Sequence, residues 1–152
     1  MFKRIVLLVF CFFFHMVSFA WAACDGELST VANDVTSCDP GDSAIINSDV
    51  TLDRNDNHTI NTADNVTITN FGKIRSNFNE AVNSDDENVT INNESTGVIR
   101  TEKSRAIWLD GVGDYDITNE GDIQARTYCA ICTNSGHTGN ITINNSNLIH
   151  TT

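Results

Sequence analysis

The chain has 152 residues and a formal net charge of −11, with 20 Asp and Glu against 9 Lys and Arg. A surface this acidic repels nucleic acid and anionic membranes as bulk partners. A chain of this length forms one domain rather than two.

Residues 1–22 read as a secretory signal peptide. Lys3 and Arg4 precede an apolar run from Ile5 to Phe14, and Ala20-Trp21-Ala22 supplies the small residues that a signal peptidase requires. Cleavage after Ala22 removes two cations and takes the net charge to −13. Retention as an anchor is the alternative, because apolar character persists to about the 18–20 residues of a span. Ala22-Ala23-Cys24 is also a weak lipoprotein-type site, with Trp21 standing where an aliphatic residue is expected.

Residues 23–49 do not follow the pattern of the rest and are expected to form a polar N-terminal cap over the first coil. Cys24 and Cys38 bracket the segment Asp25 to Ser37 and, in an exported protein, are expected to pair. Pro40-Gly41-Asp42 reads as a turn leading out of it. Val50-Thr51-Leu52 and Thr59-Ile60 look like the first two stations of a degenerate coil whose third is missing.

From Asn65 onward one short pattern recurs four times, around Ile68, Ile91, Ile117 and Ile143, in steps of 23, 26 and 26 residues. A fixed period of this size marks a solenoid, in which no coil can bury its apolar face alone. Each copy continues to a second station (Ile74, Ile99, Ile123, Ile149), and three reach a third (Ala81-Val82, Ala106-Ile107, Ala130-Ile131). Three strands per coil follow, and the fold class is an all-β parallel β-helix over residues 50–152. Strict alternation turns Val66/Ile68, Val89/Ile91, Tyr115/Ile117 and Ile141/Ile143 inward. The four reference isoleucines should stack as one core column. Two residues after each comes an asparagine, namely Asn70, Asn93, Asn119 and Asn145. Stacked amides can form a ladder, and asparagine tolerates the left-handed backbone of a sharp corner. Gly72, Gly97 and Gly121, just before the second strands, are likewise expected at positive φ.

No catalytic, metal or cofactor set emerges. Outward rows of the first strand hold one acid, Asp116, which cannot supply an acid/base pair. Cys129-Ala130-Ile131-Cys132 falls on a third strand, where residues three apart face opposite ways, so these thiols are not expected to bond to each other. His58, His137 and His150 share no ligand spacing, and Asp85-Asp86-Glu87 reads as a solvated turn. Six Asn-x-Ser/Thr sequons, at Asn57, Asn65, Asn88, Asn93, Asn140 and Asn144, read as by-products of an Asn- and Thr-rich repeat.

Val66-Thr67-Ile68-Thr69-Asn70-Phe71-Gly72-Lys73-Ile74 and Ile117-Thr118-Asn119-Glu120-Gly121-Asp122-Ile123, with Glu80-Ala81-Val82 and Arg105-Ala106-Ile107 following, resemble the passenger repeats of bacterial autotransporters. The resemblance covers Asn65 to Thr152. It implies a right-handed β-helical stalk, exported to the Gram-negative outer-membrane exterior and used in adhesion to host cells or surfaces. The last copy stops after its second station, so the stretch is expected to be a truncated piece of a longer solenoid, with further coils or, as the resemblance implies, a C-terminal translocator barrel as partners. A carbohydrate-active β-helix enzyme and a secreted solenoid that binds a partner end to end are the rival expectations.

Overall fold

The computed structural model describes residues 24–28 and 36–152. The expected signal peptide lies outside the described residues. Among them every element is a strand, and all pairing is parallel, in three sheets.

The first sheet contains β1 (Gly26–Leu28), β3 (Ser43–Ile46), β6 (Thr67–Asn70), β9 (Val89–Asn93), β12 (Tyr115–Asn119) and β15 (Ile141–Asn145). The second contains β4 (Thr51–Arg54), β7 (Lys73–Ser76), β10 (Val98–Thr101), β13 (Asp122–Ala125) and β16 (Leu148–Thr151). The third contains β2 (Thr36–Ser37), β5 (Ile60–Thr62), β8 (Val82–Ser84), β11 (Ile107–Leu109) and β14 (Ile131–Thr133). The chain visits the sheets in rotation, so each circuit is one coil of a β-solenoid with three strands per coil.

The reference isoleucines are in register. Ala44 pairs with Ile68, Ile68 with Ile91, Ile91 with Ile117, and Ile117 with Ile143. Ile68, Ile91 and Ile117 are fully buried, and burying a side chain of that size is worth roughly 1.5–3 kcal/mol. Ile143 is in line but 44% exposed, because β15 is an edge strand and no strand among the described residues covers it. Parallel columns run through the other sheets: Leu52, Ile74, Ile99 and Ile123 in the second, and Ile60, Val82 and Ile107 in the third.

The asparagine column forms the expected ladder. Asn70 Nδ2 donates to Asn93 Oδ1 at 2.8 Å, Asn93 to Asn119 at 2.7 Å, and Asn119 to Asn145 at 2.7 Å. The second amide hydrogen finds a carbonyl, as in Asn93 Nδ2 to Gly97 O (3.2 Å) and Asn119 Nδ2 to Gly121 O (3.1 Å). The three inner amides are buried, and each is satisfied from within the stack.

Four expectations are corrected. The left-handed corner residues are Asn65 (φ 60°) and Asn88 (φ 59°), which precede the first strands, and not the ladder asparagines. Gly72, Gly97 and Gly121 do not have positive φ either. A Cβ at Gly72 would fall on the carbonyl oxygen of Asn47, at Gly97 on that of Asn70, and at Gly121 on that of Gly97. Close backbone approach between coils, rather than backbone twist, demands glycine there.

The coil around Leu52 and Ile60 is displaced by one station. Leu52 pairs with Ile74 and Ile60 with Val82, so they occupy the second and third sheets. The first station is β3, inside the stretch expected to be a cap, and β1 and β2 of that stretch also pair into sheets. Within it, Cys24 and Cys38 are joined, with Cα atoms 4.5 Å apart.

Finally, Cys129 and Cys132 are bonded to each other, with Cα atoms 5.9 Å apart. Cys129 sits in the corner before β14 and not on the strand. Strand alternation therefore does not separate the two side chains.

Candidate functional site

The outer face of the second sheet carries two rows. One runs Asp53, Arg75, Arg100, Gln124 and His150; the other runs Thr51, Lys73, Val98, Asp122 and Leu148. Beyond each strand comes a corner of constant length before the third sheet, spanning 55–59, 77–81, 102–106 and 126–130. Constant length keeps these corners in register, so Phe78 lies beside Lys103, and Glu80 beside Arg105.

All seven Lys and Arg of the described residues belong to the second sheet or to the corners that follow it: Arg54, Lys73, Arg75, Arg100, Lys103, Arg105 and Arg126. Five carboxylates accompany them. The first and third sheets and their connections carry no Lys or Arg at all. Fixed charge is thus segregated, with a mixed, slightly cationic ridge along one side of an otherwise uniformly acidic solenoid.

Aromatic rings border the ridge. Phe78 and Tyr128 are more than half exposed. Lys103 Nζ stands 3.8 Å from the Phe78 ring centroid, and the Arg105 guanidinium lies 4.0 Å from the Trp108 ring and 5.6 Å from that of Tyr128. Glu102 bridges Arg100 (2.6 Å) and Arg126 (3.2 Å). Between Asp53, Arg75, Ser76, Asn77, Arg100 and Glu102 is a small cleft of about 120 Å³. The buried Nε of Arg75 and that of Arg100 have no hydrogen-bond partner.

Under the ridge, Glu80 is the one deeply buried carboxylate among the described residues. Its Oε1 accepts from Ser104 Oγ (2.7 Å) and Arg105 Nη1 (3.1 Å), and its Oε2 lies 2.9 Å from His58 Nδ1. Burial alone would raise its pKa. Hydrogen bonds from His58, Ser104, its own backbone and Arg105 outweigh burial and hold it down at about 2. Three successive coils therefore meet at one ionised carboxylate. Ser104 donates to the acid and not to the histidine, so the trio is not arranged as a nucleophile with its base.

A second depression, of about 640 Å³, opens on the first sheet between Asn88, Asp114, Tyr115, Asp116 and Asn140. Asp114 adds an acid that the outward rows did not predict. Its Oδ1 is taken up by the backbone N (2.8 Å) and Nδ2 (3.1 Å) of Asn140 one coil on. Asn88 Oδ1 accepts the Asp114 N–H in the same way. These groups clamp the corner.

The other candidates serve the stack as well. His137 Nδ1 lies 2.8 Å from Gly111 O, with its ring 5.3 Å from Tyr115, and His150 Nδ1 lies 3.5 Å from Asp122 Oδ1. In the Asp85-Asp86-Glu87 turn, burial and then the charges of Asp64 and Asp85 raise the Asp86 pKa, and its backbone carbonyl accepts from Tyr115 Oη at 2.7 Å. Among the described residues no group of three His, Cys, Asp or Glu converges as metal ligands would. Asn93, one of the six sequon asparagines, is buried in the ladder. Comparison with protein-family models, with curated proteins and with solved structures gives no match.

Proposed function

We propose that this is an exported, non-catalytic β-solenoid, an adhesin-like or scaffold segment that makes contact with cells or surfaces through its outer faces. The observation that carries the reading is the charge segregation. A stack whose ladder amides are satisfied coil to coil keeps its Lys and Arg for one side, with Phe78 and Tyr128 exposed at the corners there. The two disulfides fit an oxidising compartment outside the cytoplasm. The unpaired edge of β14, β15 and β16 would accept further coils of the same solenoid, the partner that a surface stalk requires.

The test is to express the full chain with its leader, recover it from the extracellular or surface fraction, and measure adhesion of protein-coated beads to cells. Adhesion above that of uncoated beads, with both disulfides formed, is the expected result. Recovery only from the cytoplasm with free thiols, or the release of new reducing ends from a polysaccharide, would replace this reading with another.

A further inference from the structure

We infer that the ridge of the second sheet and its corners binds an anionic polysaccharide laid along the solenoid axis. The inference rests on the surface-contact reading above and names the ligand class for it.

Three kinds of group recur along the ridge, and together they match one chemistry. Arg75, Lys73, Lys103 and Arg126 supply charged donors for carboxylate or sulfate oxygens. Lys73 and Arg75 have no ion-pair partner among the described residues, and Arg75 and Arg100 line the cleft. Asp53, Glu102 and Asp122, interleaved with them, supply acceptors for hydroxyl groups. Phe78 and Tyr128 offer exposed rings to the C–H face of a sugar, with Lys103 held against the first. Coils repeat at about 4.8 Å, close to the length of one sugar in an extended chain, so successive rows could meet successive sugars.

The interleaved carboxylates decide against a nucleic acid. Phosphate binding gains affinity by neutralising many charges at once, and seven cations beside five acids leave little to neutralise with. A DNA backbone also offers no donors to Asp53 or Asp122, whereas sugar hydroxyls do. The acidic remainder of the molecule does not forbid the contact. Its field is screened within about 8 Å at physiological ionic strength, and the ridge occupies its own side of the stack.

The test uses the purified full chain on surfaces bearing dextran sulfate, polygalacturonate, uncharged dextran or single-stranded DNA. Salt-sensitive retention on at least one of the two anionic polysaccharides is expected, with the pair separating sulfate from carboxylate recognition. Lys103→Glu with Arg126→Glu, and separately Phe78→Ser with Tyr128→Ser, should each weaken it by roughly tenfold or more. Far-ultraviolet circular dichroism checks that the variants fold, and Glu94→Lys on a different corner should leave retention unchanged.

Retention on neither polysaccharide, equal retention on DNA, or folded ridge variants that bind like the parent would overturn the inference. Bead adhesion to cells separates the two readings. Adhesion that survives in the ridge variants leaves the surface-contact reading standing without this ligand. Polysaccharide binding with no adhesion to any cell leaves the ridge standing without that reading.

Discussion

Asn93 donates its side-chain amide to Asn119 across 26 residues of sequence at 2.7 Å, while accepting at 2.8 Å from Asn70 on the other side. One side chain thus fastens three consecutive coils from inside. Asn93→Ala should leave the Asn70 donor and the Asn119 acceptor unmatched in a buried site, each costing roughly 1–3 kcal/mol. Asn145→Ala, at the exposed end of the ladder, should cost clearly less. Denaturant midpoints of the two variants check the order; equal losses would mean that the ladder does not bear on stability.

The isoleucine column predicts a similar gradient. Ile117→Ala empties a fully buried position that has a coil on either side and should destabilise by roughly 2–5 kcal/mol. Ile143→Ala removes a side chain that is 44% exposed, so its loss should fall well below that range. Thermal unfolding of the pair gives the comparison.

Glu80 predicts an acid limit. Its folded pKa, about 2, lies below the ordinary glutamate value of 4.5, so its contribution is fully present above 4.5. The contribution fades as pH falls through the interval from 4.5 to about 2, and a difference of that size is worth roughly 3 kcal/mol. Glu80→Gln should be less stable near neutrality and should flatten the stability profile across that interval. Urea unfolding at several pH values measures both effects, and an unchanged acid limb in the variant would assign it elsewhere.

Peptide mapping without reduction should link Cys24 to Cys38 and Cys129 to Cys132. The first bridge closes a loop of about 15 residues, worth roughly 3 kcal/mol by chain entropy, and the second closes a much shorter one. Replacing both members of each pair by Ser should therefore lower stability more at the 24–38 pair. Scrambled 38–129 or 24–132 linkages would contradict the stacking order.

Much of this architecture is legible in the sequence because a stacked coil repeats its physics. Ile68, Ile91, Ile117 and Ile143 share a spacing because they share a partner column, and the ladder follows from the asparagine two places on. The first coil escapes that reading for a reason visible in the pairing. Ile46 pairs with Asn70 and so fills the ladder position, while Ala44 fills the isoleucine position, leaving no asparagine to flag it. The cationic ridge is not legible in the alternation of the first strand, because its residues belong to corners and to the second strand. A signal was nevertheless present. His58, Glu80, Arg105 and Cys129 each stand directly before the first residue of the third station, and Glu80 and Arg105 carry opposite charge one coil apart. Cys129 obeys no strand alternation because it too is a corner residue.

The corners between the second and third sheets never change length, and each coil bonds only to the coils above and below it. One whole circuit could therefore be copied or excised without re-aiming any other, provided the cut keeps the asparagine and the small corner residue in phase. Every added circuit would lengthen the molecule by about 4.8 Å and nothing else. The repeat is in that sense a ruler, and reach becomes a trait that gene duplication can adjust one coil at a time.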